Sequence, residues 1–362
     1  MIEKYYSGVI EQIYNRIGKE TRNIVMANYS NDFSIENLEV IRRYQSNEDN
    51  VFFAYSEFSY NTLVGAYEPF LDIICNMHRR FIGGSFDDFQ KECGVYYLHR
   101  QVLNSYYETG ECFREETVLL NEVAYEQRRM TMAIADMLKK LSEVKPLMIV
   151  INRFQMASKS SIETIKYLID NPCANIGIVL GVNAIVKGTD STVEVWDRIV
   201  ESLEDRSAIY YIGSAGPLKN NVKTTNDDEL YITMNFEQSI QEASNIMEFL
   251  DFEQARRGCR IIEHKLKFED AWIDEKSLRR FYMVYARTSV LLGEMSKAIE
   301  LTNEYKALIP ENDSEHYLSL YYFMKGTCYM YQGKLEKAGN SAKSAYDYAV
   351  LAEDDTLIFK AE

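Results

Sequence analysis

Histidines, cysteines, hydroxyls and paired acids do most enzymatic chemistry, and here none of them stands in a working pattern. The four histidines, His78, His99, His264 and His316, are scattered, with no H-x-x-x-H or H-E-x-x-H to put two metal ligands on one helix face. The six cysteines, Cys75, Cys93, Cys112, Cys173, Cys259 and Cys328, include no C-x-x-C pair. Neither a structural zinc site nor a dense disulfide framework is expected; they read as reduced and mostly buried. No G-x-S-x-G nucleophile elbow occurs. Asp87-Asp88 and Asp227-Asp228 read as turn or cap acids. His78-Arg79-Arg80 and Arg128-Arg129 read as solvated basic faces of helices. No metal, cofactor or catalytic residue is assigned on these grounds.

The segment richest in chemical content is Lys145–Ile169, KPLMIVINRFQMASKSSIETIKYLI. Its run Leu147–Ile151 is wholly apolar, as suits a strand of a parallel sheet covered on both faces. Polar residues follow at once: Asn152, Arg153, Gln155 and Ser158. This stretch resembles the Walker B region of STAND-type signalling ATPases, in which an apolar strand leads to two acids, then an apolar-Gln-Trp-Ala-Asp run, a serine and a leucine-rich helix. Gln155, Ala157, Ser161 and Leu168 keep that pattern. Asn152 and Arg153 stand at the two acids, Met156 at the Trp and Ser158 at the later Asp. Two further stretches add to the resemblance. Gly65–Leu71 is similar to the family's Tyr-x-Pro-Phe helix start, and Met234-Asn235-Phe236 to the start of its helical lid. Asn183 ends the next apolar strand, near a position where the family often has Arg.

The resemblance implies a phosphate-binding loop after the strand Arg22–Asn28. A working loop reads G-x-x-x-x-G-K-[ST], with backbone amides and a lysine around the phosphates. Residues 29–36 read YSNDFSIE, with Tyr29, Asp32 and Ser34 at degenerate positions and no glycine or lysine. Asp32 and Glu36 would repel a triphosphate. Gly18-Lys19 precedes the strand, and no Gly-Lys pair follows it in the stretch where the loop is expected. Phosphate cradle and Mg²⁺-organising acids are thus both lost, so ATPase activity is not expected.

The elements that would position these residues follow from periodicity. Residues 2–19 read as an amphipathic helix, and Arg22–Asn28 as a strand. Ser34 is a helix cap for a helix to Tyr44, and Val51–Tyr55 a second strand. Ala66–Arg80 reads as a helix with Pro69 in its first turn, broken at Gly83-Gly84. Residues 85–109 and 114–143 read as helical. Ser160–Asp170 is a helix between the buried strands Leu147–Ile151 and Ile176–Val182, and Ala208–Ile212 is a further strand. Strands alternating with helices predict a three-layer α/β domain with a parallel sheet, a degenerate P-loop NTPase-like fold, over 1–215. Residues 219–229 read as a polar loop, and 216–274 as a helical lid or connector.

Residues 275–362 read as all-α helical repeats. Gly293, Ala298 and Pro310 recur as Gly333 and Ala338 without the proline, a glycine spacing of 40 residues. The pattern resembles the tetratricopeptide repeat, whose period is about 34. Two units are fewer than a stable stack needs, so a longer repeat protein, truncated here, is expected. Tyrosine is abundant, 27 against 2 Trp. Tyr282, Tyr285, Tyr322 and Tyr329 are the candidates for a peptide-binding surface.

Composition narrows the partners. The formal charge of −15 argues against direct nucleic-acid binding. No apolar run approaches about 20 residues, so no membrane insertion is expected, and the amino terminus is no signal peptide. A cytoplasmic location is the default. Together these readings predict a non-catalytic sensory or protein-interaction module without cofactor. A protein or peptide would bind the repeats, with room for a homodimer. The family architecture implies a C-terminal output domain, a diguanylate cyclase (GGDEF) or a transcription regulator. Two other readings stay open: a nucleotide-binding switch with a non-standard phosphate site, and an enzyme of another class with a site in 83–115 near His99 and Tyr106.

Overall fold

A computed structural model describes residues 2–29, 38–46, 50–59, 63–112, 122–183, 193–212, 235–268, 273–312, 314–355 and 357–358. Asp32, Ser34, the 219–229 stretch, Asp227-Asp228 and Met234 lie outside the described residues. The chain divides into two compact units. One comprises Met1–Gly110 with Gln127–Thr233, the other Glu111–Glu126 with Met234–Glu362.

Among the described residues, the first unit holds a five-stranded, wholly parallel sheet: β1 (Ile24–Tyr29), β2 (Phe52–Glu57), β3 (Leu147–Asn152), β4 (Ile176–Asn183) and β5 (Ile209–Ile212). Its spatial order is β2-β3-β4-β1-β5. The predicted strands all form, shifted by one or two residues. β3 and β4 are buried at every position, which is why they read as continuous apolar runs. The helices α1 (Ile2–Arg16) and α2 (Glu39–Ser46) cover one face. Tyr6, Ile10, Ile13 and Ile17 form a stripe along α1 and its C-terminal turn. Gly177 and Gly181, four apart and so on one face of β4, let that stripe approach. A Cβ at Gly177 would lie 2.8 Å from Ile17 Cδ1. Right-handed crossovers place the helices between β2 and β5 on the other face. There α7 (Lys159–Asp170) packs on α8 (Val193–Glu204), a helix not read from the sequence.

Helix α3 is shorter than expected. It spans Phe70–Met77, with Pro69 at its N-cap instead of inside its first turn. Tyr67 takes a left-handed conformation (φ 58°) before it, so the helix cannot begin at Ala66. One π-helical turn, His78–Ile82, continues it. Residues 85–109 form two helices, α4 (Phe86–Glu92) and α5 (Tyr97–Thr109), parted by Gly94 at φ 71°. Helix α6 (Val123–Val144) then leads to β3.

Among the described residues, the second unit holds three helical hairpins: one within the stretch read as a lid or connector, and two within 275–362, where the repeats were expected. They are α9 (Phe236–Glu248) with α10 (Phe252–Phe268), α11 (Glu275–Leu291) with α12 (Met295–Ala307), and α13 (Ser314–Tyr331) with α14 (Leu335–Leu351). All three turn alike. Leu250, Gly293 and Gly333 have φ of 69°, 77° and 71°. The next amide bonds back five residues: Asp251 N to Ile246 O at 3.1 Å, Glu294 N to Ser289 O at 2.8 Å, and Lys334 N to Tyr329 O at 2.9 Å. Gly326 lets α13 close on α14, for a Cβ there would be 3.4 Å from Ser341 Cβ. Of the six free cysteines, Cys75, Cys112, Cys259 and Cys328 are buried.

Candidate functional site: the carboxyl edge of the sheet

The connections of the sheet reverse at β1. The chain leaves β1 for the far edge at β2, and later passes from β4 over β1 to β5. Open α/β sheets bind ligands outside the carboxyl ends of their strands at such a switch point. Here those ends carry Tyr29, Glu57, Asn152 and Asn183.

These residues bond to one another. Tyr29 is fully buried and its hydroxyl donates to Asn152 Oδ1 at 2.5 Å, across the intervening strand β4. Gly181 lies beneath this bond. A Cβ there would meet Asn152 Oδ1 at 2.8 Å and collide with the Tyr6 hydroxyl. Tyr6 arrives from α1 and sets its ring edge against Tyr29, with centroids 6.3 Å apart. Burial holds the Tyr6 hydroxyl well above its ordinary pKa, with Tyr29 and Glu57 adding to the effect. Two phenols and one carboxamide therefore fill the space over β4 without bringing a formal charge.

The charged pair sits beside them. Arg153 takes a left-handed backbone (φ 54°), which turns the chain directly after β3. Its Nη1 reaches Glu57 Oε1 at 2.9 Å and donates to the Phe58 carbonyl at 3.3 Å. Glu57 is the cross-strand partner of Asn152. Where the family resemblance expects acids that organise Mg²⁺, this chain has a carboxamide bonded to a phenol and a guanidinium bonded to a glutamate.

Gln155 and Ser158 have local partners. Gln155 is buried and its Oε1 accepts from the Asn183 amide at 3.4 Å, tying β3 to the end of β4. Ser158 caps α7, accepting from Ser161 N at 3.4 Å. Its neighbours hold the Tyr67–Pro69 turn. Ser160 Oγ accepts from Tyr67 N at 3.1 Å, and Ser161 Oγ donates to Glu68 O at 2.7 Å. The Glu68 carboxylate accepts from Gly65 N at 2.9 Å. Burial, the largest cause, raises its pKa; the Gly65 bond opposes and Asp72 adds.

The four candidate tyrosines lie on two helices of the second unit. Tyr285 of α11 is 3% exposed, with Lys297 over its ring, and packs within its hairpin. Tyr282 of α11 is half-buried. Tyr322 of α13 stacks on Tyr348, with centroids 5.6 Å apart. Tyr329 is half-buried beside Lys334 and Lys337.

Several outcomes differ from the sequence reading. His78 is buried, not a solvated basic residue. It donates to or accepts from the Tyr107 hydroxyl at 3.1 Å, among Phe86 and Phe89. Its neighbours Arg79 and Arg80, and Arg128, are exposed as read, with Arg79 and Arg129 lying over the Tyr107 and Tyr96 rings. His99 is buried in α5, and the Tyr106 hydroxyl donates to Asp72 at 3.0 Å. Tyr6, Glu57, Glu68 and Gly181 belong to the carboxyl-edge network and were not read from the sequence. Among the described residues, no group of three His, Cys, Asp or Glu side chains could hold a metal ion. No described helix is long and apolar enough to cross a membrane.

No protein-family model matches this chain, and no curated protein matches it in sequence.

Proposed function

We propose that this chain is a non-catalytic sensory and protein-interaction module of a signalling protein. Its α/β unit would be a relative of STAND ATPases that handles no nucleotide, and its hairpins tetratricopeptide-like repeats that receive a protein or peptide. The module would regulate an output domain, a diguanylate cyclase or a transcription regulator. The observation that carries this reading is the bond from Tyr29 to Asn152 over Gly181. It occupies the switch point with neutral groups, where triphosphate chemistry needs a cation cradle and acids for Mg²⁺. The Arg153–Glu57 pair adds support, since neither charge is left over for a phosphate or a metal. Three hairpins reach the number at which stacked repeats sustain a common core. Signal transfer would be conformational: a ligand or partner binds one arrangement better and shifts the population.

Isothermal titration of the chain with ATP and Mg²⁺ tests the reading. No saturable heat is expected. Micromolar binding would overturn it in favour of a nucleotide switch with a non-standard phosphate site.

A further inference from the structure

The opposite, amino edge of the same sheet carries a cleft of about 200 Å³. It opens between the start of β1, the start of β5 and the carboxyl ends of α1, α7 and α8. Its apolar wall includes Ile24, Leu168, Pro172 and Leu203, and its polar rim Arg16, Arg22 and Arg206. Three arginines on one rim are conspicuous in a chain of net charge −15.

The arginines are not equivalent. Arg206 Nη1 donates to the Ile169 carbonyl at 2.6 Å, closing the carboxyl end of α7. Arg16 pairs with Glu20 at 3.7 Å. Arg22 is exposed and has no partner among the described residues. The loop that carries it is nonetheless fixed. Gly18 N donates to Ala174 O at 2.8 Å, and Asn23 Nδ2 donates to Glu20 O at 2.6 Å and Ala174 O at 3.2 Å. On the other wall Ser207 holds a left-handed backbone (φ 51°), a conformation that costs a serine energy. One guanidinium fork is thus presented from a rigid loop over an apolar wall.

The charge balance limits what can bind. Three guanidiniums face one carboxylate, Glu20, and three helix carboxyl ends of about half a negative charge each. The surplus is about half a positive charge, enough to favour one negative charge and too little for two. A planar fork matches a carboxylate in two parallel hydrogen bonds. The volume accepts a body of on the order of ten heavy atoms at interior packing density.

We propose that this cleft binds a small monocarboxylate with an apolar body, its carboxylate held by Arg22 and its body against Leu168 and Leu203. The site is separate from the carboxyl edge and stands whether or not that edge binds a nucleotide. The test is ligand-observed NMR and calorimetry on the whole chain with phenylacetate, its neutral amide and phenyl phosphate. Phenylacetate should bind saturably. The amide should bind at least tenfold more weakly, and phenyl phosphate no more tightly. Arg22→Gln should weaken phenylacetate at least tenfold without moving the melting temperature, because the side chain is exposed; Arg22→Lys should lose part of the affinity. The proposal is overturned if phenylacetate does not saturate, if the amide binds equally, if phenyl phosphate binds tenfold tighter, or if Arg22→Gln binds as the parent chain does.

Discussion

Replacing Asn152 by Asp introduces one acid at the position where the resemblance would place a Mg²⁺ ligand, and so separates a closed polar site from a nucleotide site. Asn152 is fully buried, its Oδ1 accepts from Tyr29, and its cross-strand neighbour is Glu57. The adjacent cation, Arg153, is already bound to Glu57. The introduced carboxyl is therefore desolvated and set beside a like charge, both of which favour its protonated form; the Tyr29 hydroxyl, which can still donate to it, opposes them in part. Such surroundings raise a carboxyl by about 2 to 3 pKa units from about 3.9. At 1.36 kcal/mol per unit this costs about 3 to 4 kcal/mol. A folded pKa raised above the unfolded value means no penalty below about pH 4. The penalty grows as pH rises to about 6 or 7 and is constant above that. At about 2 to 4 °C per kcal/mol for a unit of this size, the melting temperature should fall by roughly 6 to 16 °C at pH 8. At about pH 4.5 it should fall far less. Circular-dichroism melts of parent and N152D at both pH values measure this, with and without millimolar Mg²⁺ and ATP. An N152D chain as stable as its parent at pH 8, or one whose lost stability Mg²⁺ and ATP restore, would refute the closed-site argument.

Four further substitutions have expected outcomes. Glu57→Gln removes a charge from a pair whose side chains are only 19% and 17% exposed, and should cost about 2 kcal/mol with little dependence on salt; parent-like urea melts would count against it. Gly326→Ala should be neutral or stabilise by up to about 1 kcal/mol, because the added Cβ makes ordinary contacts and alanine favours helix. Gly326→Leu should instead cost about 1 to 3 kcal/mol, because α13 and α14 would have to part; equal melting of the two variants would argue against close approach. Glu68→Gln bears on pH. The Glu68 carboxyl is raised above its ordinary 4.5, so the parent loses stability as pH rises through the folded value. The Gln variant keeps the acceptor for Gly65 N and should show a flatter stability profile over that range, while an unchanged profile would show that Glu68 is not the group responsible.

The strands were legible because a doubly covered parallel sheet demands continuous apolar runs, and few other structures do. The last two hairpins were legible because Gly293 and Gly333 mark positive φ in the sequence. The first hairpin makes the same turn with Leu250 at φ 69°, so the sequence carries no mark of it and the period is lost. Leu250 is 2% exposed, and burial offsets the strain of its backbone. Helix α3 begins late for a related reason: Tyr67, a residue with no sequence signature for φ 58°, turns the chain before Pro69.

The site was half legible in the same sense. Reading Asn152, Arg153 and Gln155 as a group needs only their spacing after an apolar strand. Reading what they do needs contacts that spacing does not encode. Asn152 meets Tyr29 from 123 residues away, and both lie over Gly181 and under Tyr6, so four separate segments converge on one point. As a sequence feature Asn152 is only a missing acid, and Gly181 only a weak spot in a strand. In the fold the glycine makes room for the two tyrosines, and the carboxamide gives one of them a buried partner. A substitution that looks like a loss by comparison with a motif is here one member of a packed, hydrogen-bonded set. The residues to vary with it are accordingly Tyr6, Tyr29 and Gly181, not the sequence neighbours of Asn152.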